Sequence, residues 1–258
     1  MSWGSRMKAI YISTIVAILL VAFGVPIYFK YFNKPPSCFD GKQNQDELGI
    51  DCGGTCALLC PEQSRDPLIS FQRLYEANRG VYTALAMLEN PNQGVFARKV
   101  SYSFKVYDVN NVLLQEVTGS TFIPPAREFP VFASPIVTNN RVAVKETFAI
   151  TDSSIAWEQG AWVEPALDVA NVNRSQVNGR ERVEADIVNH EVYPIKNLQV
   201  VAVVYDEDGN ASEASATVLD YVSPQDTGHI SFAWSKAFDF KVSKIDVIPR
   251  PLPRDKAN

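Results

Sequence analysis

Read for its hydrophobic pattern, the chain opens with 21 residues free of charge, Ala9–Phe29 (AIYISTIVAILLVAFGVPIYF). At about 1.5 Å rise per residue, a helix over this run is about 31 Å long, close to the hydrocarbon thickness of a bilayer. Trp3 precedes it and Tyr28, Tyr31 and Phe32 close it, where interfacial aromatics belong. Pro26 falls near the exit, where a missing backbone donor does little damage. From Asp66 onward the period changes to two. Ser101, Ser103 and Lys105 alternate with Tyr102, Phe104 and Val106, as in a half-buried strand. Stretches 80–88, 100–107 and 112–117 are rich in β-branched and aromatic residues and are bounded by Asn, Pro or Gly. Asn90-Pro91-Asn92 and Asp108-Val109-Asn110-Asn111 read as turns, and Asp206-Glu207-Asp208-Gly209 as a cleaner one containing Asp-Gly. No amphipathic helix follows the apolar segment. The pattern predicts an all-β protein behind one N-terminal transmembrane helix.

The β region contains itself twice, about a hundred residues apart. An Asn-rich turn at Asn90, the strand ending Phe104-Lys105-Val106-Tyr107-Asp108, Pro124 and an apolar stretch to Phe132 form the first copy. Asn189, the strand ending Val203-Val204-Tyr205-Asp206, Pro224 and Phe232 repeat the order. A repeat of domain length means two copies of one fold, and short strands with frequent turns predict β-sandwiches. The expected organisation is an N-terminal tail and transmembrane signal anchor (1–34), a cysteine-rich disulfide module (35–65), sandwich repeat 1 (66–158), sandwich repeat 2 (159–250) and a disordered tail (251–258). Trp157 and Trp162 mark the junction. They could pack the two sandwiches together, but the expectation is that each fills the core of its own domain.

With 258 residues the chain holds about two domains. A net charge of −5 and no basic, aromatic-interleaved run exclude nucleic acid as a partner. The lipid bilayer is a partner through Ala9–Phe29, and the sandwiches are left to meet a protein or envelope polymer. All four cysteines fall in one stretch, Cys38-x13-Cys52-x3-Cys56-x3-Cys60. A segment this small cannot stabilise itself by burial, so two disulfides are expected, with three pairings open. A four-cysteine zinc knuckle is the competing reading, and it would place the domains in the cytoplasm. Disulfides put the N-terminus inside and the C-terminal domains in an extracytoplasmic space. Ala22-Phe23-Gly24 has the form of a signal-peptide cleavage site, but the apolar run continues to Phe32, which favours an uncleaved anchor. The module also carries oxygen ligands, Asp40, Asn44, Asp46, Glu47 and Asp51, as candidates for calcium. Their order is not that of an EF-hand, and the competing reading is that they cap turns made by Gly41, Gly49, Gly53 and Gly54.

The cysteine stretch matches C-x-D-G-x-x-N-x-x-E-x-G-x-D-C-G-G-x-C-x-x-C at Cys38, Asp40, Gly41, Asn44, Glu47, Gly49, Asp51, Cys52, Gly53, Gly54 and Cys56. It departs only in having three residues before Cys60. It resembles a short extracytoplasmic module found just outside the membrane or between domains of large secreted bacterial and archaeal proteins. The Phe104–Asp108 and Val203–Asp206 stretches, with Asn90/Asn189 before and Pro124/Pro224 after, are similar to immunoglobulin-like domains of the FxLYD type. That resemblance implies two tandem immunoglobulin-like β-sandwiches used as extracellular spacer or adhesion modules. The layout as a whole resembles uncharacterised single-pass membrane proteins of candidate-phyla bacteria.

No catalytic constellation emerges. There is no G-x-S-x-G elbow and no glycine-rich phosphate loop with its Lys-Ser/Thr. His190 falls in a turn and His229 in a predicted strand, and both read as structural or solvated. Asp206 and Asp208 suit turn chemistry. Asn173-Arg174-Ser175 and Asn210-Ala211-Ser212 fit the glycosylation sequon. The expectation is a non-enzymatic, cofactor-free, membrane-anchored scaffold or binding protein at the cell surface, with an accessory subunit of an envelope complex (pilus, secretion or cell wall) as the alternative.

Overall fold

The computed structural model describes residues 3–31 and 36–252. Phe32 and Lys34 beside the apolar run, and positions 253–258 of the tail, lie outside the described residues. The chain divides into two compact units, Met1–Cys56 and Ala57–Asn258.

In the first unit one helix, α1 (Trp3–Tyr31), contains an apolar stretch, Ile10–Lys30, long enough to cross a membrane. Ile12, Ile15, Leu19, Leu20, Phe23 and Ile27 are all exposed, as lipid-facing side chains would be. The hydroxyls of Ser13 and Thr14 donate back to the Ile10 carbonyl at 3.0 and 2.8 Å, so they carry no unmet polarity into the apolar stretch. Residues 36–56 then form a run of turns without regular strands.

The second unit is two sandwiches of one topology. In the first, β1 (Leu68–Asn78), β2 (Val81–Glu89) and β5 (Glu128–Val137) form an antiparallel sheet with β2 in the middle. Facing it, β3 (Val95–Tyr107) lies between β4 (Leu113–Ile123) and β6 (Lys145–Ile150), and the short β7 (Glu158–Gln159) pairs with Val95 and Phe96 of β3. In the second, β9 (Arg180–Asn189) lies between β8 (Leu167–Val177) and β12 (Thr227–Ala233), while β10 (Ile195–Asp206) lies between β11 (Ala211–Val222) and β13 (Val242–Arg250). In both copies the second strand pairs with the first and fifth, and the third with the fourth and sixth. This is the tandem pair of β-sandwiches that the repeat predicted.

Each sandwich has its own core. Ala84, Ala86 and Leu88 of β2 meet Val100, Phe104 and Val106 of β3 in the first. Val183, Ala185 and Ile187 of β9 meet Val200, Ala202 and Val204 of β10 in the second. A third apolar layer lies between the sandwiches. Tyr75 of β1 and Leu85 and Met87 of β2 pack on Val201 and Val203 of β10 and Ala211 and Ala214 of β11. Four sheets are therefore stacked face to face, led by β3, β2, β10 and β9 in that order. The two central strands are covered on both faces: every residue of 84–88 and of 200–204 is buried. Their sequences, ALAML and VVAVV, are the unbroken apolar runs that two-sided burial demands.

Three details differ from expectation. Phe232 lies in the second core, whereas Phe132 packs into the layer between the sandwiches. Side chains alternate across a strand, so a one-residue offset in the matched stretches turns the ring to the other face. Trp157 fills the first core, as expected, but Trp162 also serves the first sandwich: its ring centroid is 4.9 Å from Phe96 and 5.8 Å from Phe122. The chain is still pinned beside β3 by β7 just before this point. Finally, the end of the cysteine stretch belongs with the β unit. The Leu59 N–H donates to the Trp157 carbonyl at 2.8 Å, the Gln159 N–H donates to Ala57 at 2.7 Å, and Leu59 is buried in the first core.

Candidate functional site

The cysteine module comes first because it carries the most specific motif. Cys38 and Cys56 form a disulfide, and Cys52 and Cys60 are disulfide-bonded as well. No thiol is free among the described residues, which leaves no thiolate for zinc. The acidic residues are engaged locally. Asp51 accepts the backbone N–H groups of Asp40 and Gly41 at 3.0 and 2.9 Å. Asp40 accepts the Lys42 N–H at 3.0 Å and the Asn44 amide at 2.9 Å, and these bonds hold its carboxyl below the usual range, the Asn44 amide most of all. Glu47, which is buried, accepts the Asn44 N–H at 3.0 Å. No three carboxylates of Asp40, Asp46, Glu47 and Asp51 lie within 4.8 Å of one another among the described residues. Among the described residues, the one cluster of that size joins Glu47 to Cys38 and Cys56, whose sulfurs are bonded to each other. Gly54 explains part of the motif: its φ is +60°, and a Cβ there would stand 1.8 Å from the Asp46 carbonyl oxygen. Asp40, Glu47, Asp51 and Gly54 thus hold turns together.

The repeat markers hold the sandwiches in the same way. Asn90, fully buried, donates from Nδ2 to the carbonyls of Val95 and Pro124, both at 2.7 Å, and accepts the Asn92 N–H at 3.0 Å. Asn189 does the same with Tyr193 and Ser223, both at 2.9 Å, and with the Glu191 N–H at 3.0 Å. Each Asn joins the loop after its strand to the loop before the fifth strand. Asp108 accepts the N–H groups of Asn110 and Val112, and Asp206 those of Asp208 and Asn210. Backbone amides hold both carboxyls low, though the Ser212 hydroxyl is the stronger cause at Asp206. The left-handed residue of each turn is Asn111 (φ 58°) or Gly209 (φ 79°), the residue types for which that region costs least. His190 and His229 are exposed and pair with Asp168 and Asp186 at 2.8 and 2.9 Å.

The densest chemistry lies at the joint between the sandwiches, which the motifs did not mark. Arg250, the last residue of β13, is 4% exposed. Its guanidinium donates to the carbonyls of Pro130 and Phe122, the latter at 2.8 Å, and to the Thr121 hydroxyl at 3.2 Å. It lies over the rings of Phe122 and Phe129, at 4.3 and 5.1 Å from their centroids. No carboxylate forms an ion pair with it among the described residues, and burial pushes its pKa down to about 9, still well above neutrality. At the other end of the joint the buried Tyr75 hydroxyl donates to Ala211 at 3.0 Å, and burial pushes its pKa up. A cleft of about 230 Å³ opens beside it, lined by Glu76, Thr83, Ser134, Glu213, Ser215 and Trp234, among others. Burial is the main cause that pushes Glu213 up to about 7; Lys236 opposes the shift and Asp239 adds to it. The signal for the joint was present in the sequence as the two unbroken apolar runs, ALAML and VVAVV.

No family model and no curated protein matches the chain. Among solved structures it is similar to a red sea bream transglutaminase at TM-score 0.24 and 12% identity, over 69% of this chain and 30% of that one. The chain thus spans less than a third of that protein, and a likeness this loose carries no argument.

Proposed function

We propose that this is a non-enzymatic, membrane-anchored scaffold whose N-terminus is cytoplasmic and whose sandwiches stand in an extracytoplasmic space, where they bind a protein or envelope polymer. The observation that carries this reading is the oxidation of all four cysteines just after a helix long enough to cross a bilayer. Disulfides persist in oxidising compartments. Two further facts support it. The polar residues of the motifs are engaged in holding turns and loops. The buried layer between the sandwiches ties them into one body, which suits presentation of a fixed surface. The resemblance of the cysteine module and of the repeats to extracytoplasmic proteins points the same way.

The test is the thiol and metal content of protein purified without reductant, together with protease treatment of intact cells carrying a C-terminal tag. Two disulfides, no zinc and a cleavable tag are expected. Four free thiols with bound zinc and a protected tag would overturn the topology and send the search for partners into the cytoplasm.

A further inference from the structure

The cleft on the joint holds chemistry that the scaffold itself does not use. Glu213 is 7% exposed and forms a long ion pair with the Lys236 ammonium at 4.0 Å. Trp234 is 8% exposed, and its buried indole N–H makes no hydrogen bond of acceptable geometry, although it lies near enough to Glu213 to favour the ionised carboxylate. A buried acceptor and a buried donor therefore share one opening, lined also by Thr83, Ser134 and Ser215. In a folded protein an unmet buried polar group such as this indole N–H calls for a partner.

The chemistry of that partner is narrow. An ammonium group only donates and would leave the indole N–H unmet. A phosphate or carboxylate only accepts and would meet a carboxylate. A hydroxyl donates and accepts at once. The opening, about 230 Å³, is smaller than the roughly 300 Å³ at which pockets for larger ligands begin, so it suits one ring rather than a chain of rings. It also lies between two domains, where ligand sites concentrate. We propose that this cleft is a subsite for one sugar residue, with a ring hydroxyl bridging Glu213 and the Trp234 indole N–H. The inference deepens the scaffold reading and rests on it, since it names a polyhydroxylated envelope polymer as the partner.

The experiment uses the full chain in a zwitterionic detergent without a sugar headgroup, because a glycoside detergent would compete. Glucose, N-acetylglucosamine and glycerol are the probes, read by saturation-transfer NMR. Transfer to at least one of the two sugars, saturable with concentration and absent for glycerol, is expected. Trp234→Phe keeps the ring but removes the donor, and Glu213→Ala removes the acceptor. Each should weaken binding about tenfold, with near-UV circular dichroism confirming that at least one variant keeps the native fold. No transfer to either sugar, as when water alone bridges the two groups, would overturn the proposal. So would transfer to glycerol equal to that of the sugars, or undiminished binding in a folded variant. Thiol content and tag accessibility do not depend on this cleft, so its failure is distinguishable from failure of the topology.

Discussion

Truncating Arg250 is the most direct probe of the joint. Its guanidinium holds two backbone carbonyls and one hydroxyl across the interface and lies over two aromatic rings, and no carboxylate among the described residues forms an ion pair with it. Arg250→Ala strands both carbonyls, at about 1–3 kcal/mol each. It also removes two cation–π contacts, together about 1–2 kcal/mol, and leaves a cavity that costs about 1–3 kcal/mol more. Against these losses, deleting an unpaired buried charge relieves a desolvation cost of several kcal/mol. The balance is a net loss of about 2–4 kcal/mol for Arg250→Ala. Arg250→Met refills most of the volume and should lose only about 1–2 kcal/mol. Urea unfolding of the full chain in detergent, followed by tryptophan fluorescence, gives the values, and Trp162 reports locally because its ring meets Phe122, over which Arg250 lies. A methionine variant more stable than wild type would mean that burying the charge costs more than its bonds return. An alanine variant within about 0.5 kcal/mol of wild type, the range of ordinary surface changes, would mean that the guanidinium does not hold the joint.

Glu213→Gln should change the pH dependence of stability. Because the folded pKa is raised from 4.5 to about 7, the wild type is relatively most stable below pH 4.5 and loses up to roughly 3 kcal/mol as pH rises through about 7; the variant should lack this loss, and parallel unfolding curves at pH 5 and pH 8 that differ equally in both proteins would refute it. Asn90→Ala and Asn189→Ala should each cost about 2–4 kcal/mol by stranding two carbonyls and an N–H, with additive effects in the double variant because the sites lie in different sandwiches; a small or strongly unequal pair of losses in urea unfolding would break the equivalence of the two copies. Gly54→Ala, which must hold a left-handed backbone while its Cβ meets the Asp46 carbonyl, should cost about 2 kcal/mol or more locally and raise the fraction of alkylatable thiols seen by intact mass; full oxidation at wild-type yield would count against the turn as drawn.

Much of this architecture was legible. The span and the strand period come from hydrophobic spacing, which burial imposes directly, and the repeat from the recurring Asn, Asp, Pro and Phe positions. Asn90 and Asn189 were legible as markers but not in role, because one of the two carbonyls that each holds lies more than thirty residues downstream, at Pro124 or Ser223. The disulfide partner of Cys38 could not be read either: chain order does not fix which sulfurs meet when four cysteines share one coil of turns. Arg250 was hidden most completely. It is the last residue of the expected second sandwich, between Pro249 and Pro251 at the edge of the expected tail, and only the register of β13 against β10, with Gln199 opposite it, turns it into the joint.

The repeat itself also encodes the joint, through what differs between its copies. Aligned on Asp108 and Asp206, Ser103 (buried, its hydroxyl donating to Glu116) and Lys105, on the face of β3 turned away from Phe104 and the first core, correspond to Val201 and Val203 of β10, which lie in the layer between the sandwiches. Aligned on Asn90 and Asn189, Leu85 and Met87 of β2 lie in that layer and correspond to Glu184 and Asp186 of β9. Meanwhile the inward positions stay apolar in both copies: Ala84, Ala86 and Leu88 against Val183, Ala185 and Ile187. Each copy therefore carries one apolar outer face, and the two faces belong to different sheets of the fold. Such a contact is head-to-tail, a geometry that would propagate into open stacks if both copies carried both faces. Ser103 and Lys105 on one end, and Glu184 and Asp186 on the other, close the stack at two. The same alternation of polar and apolar residues that makes each strand also sets the number of sandwiches the joint can join.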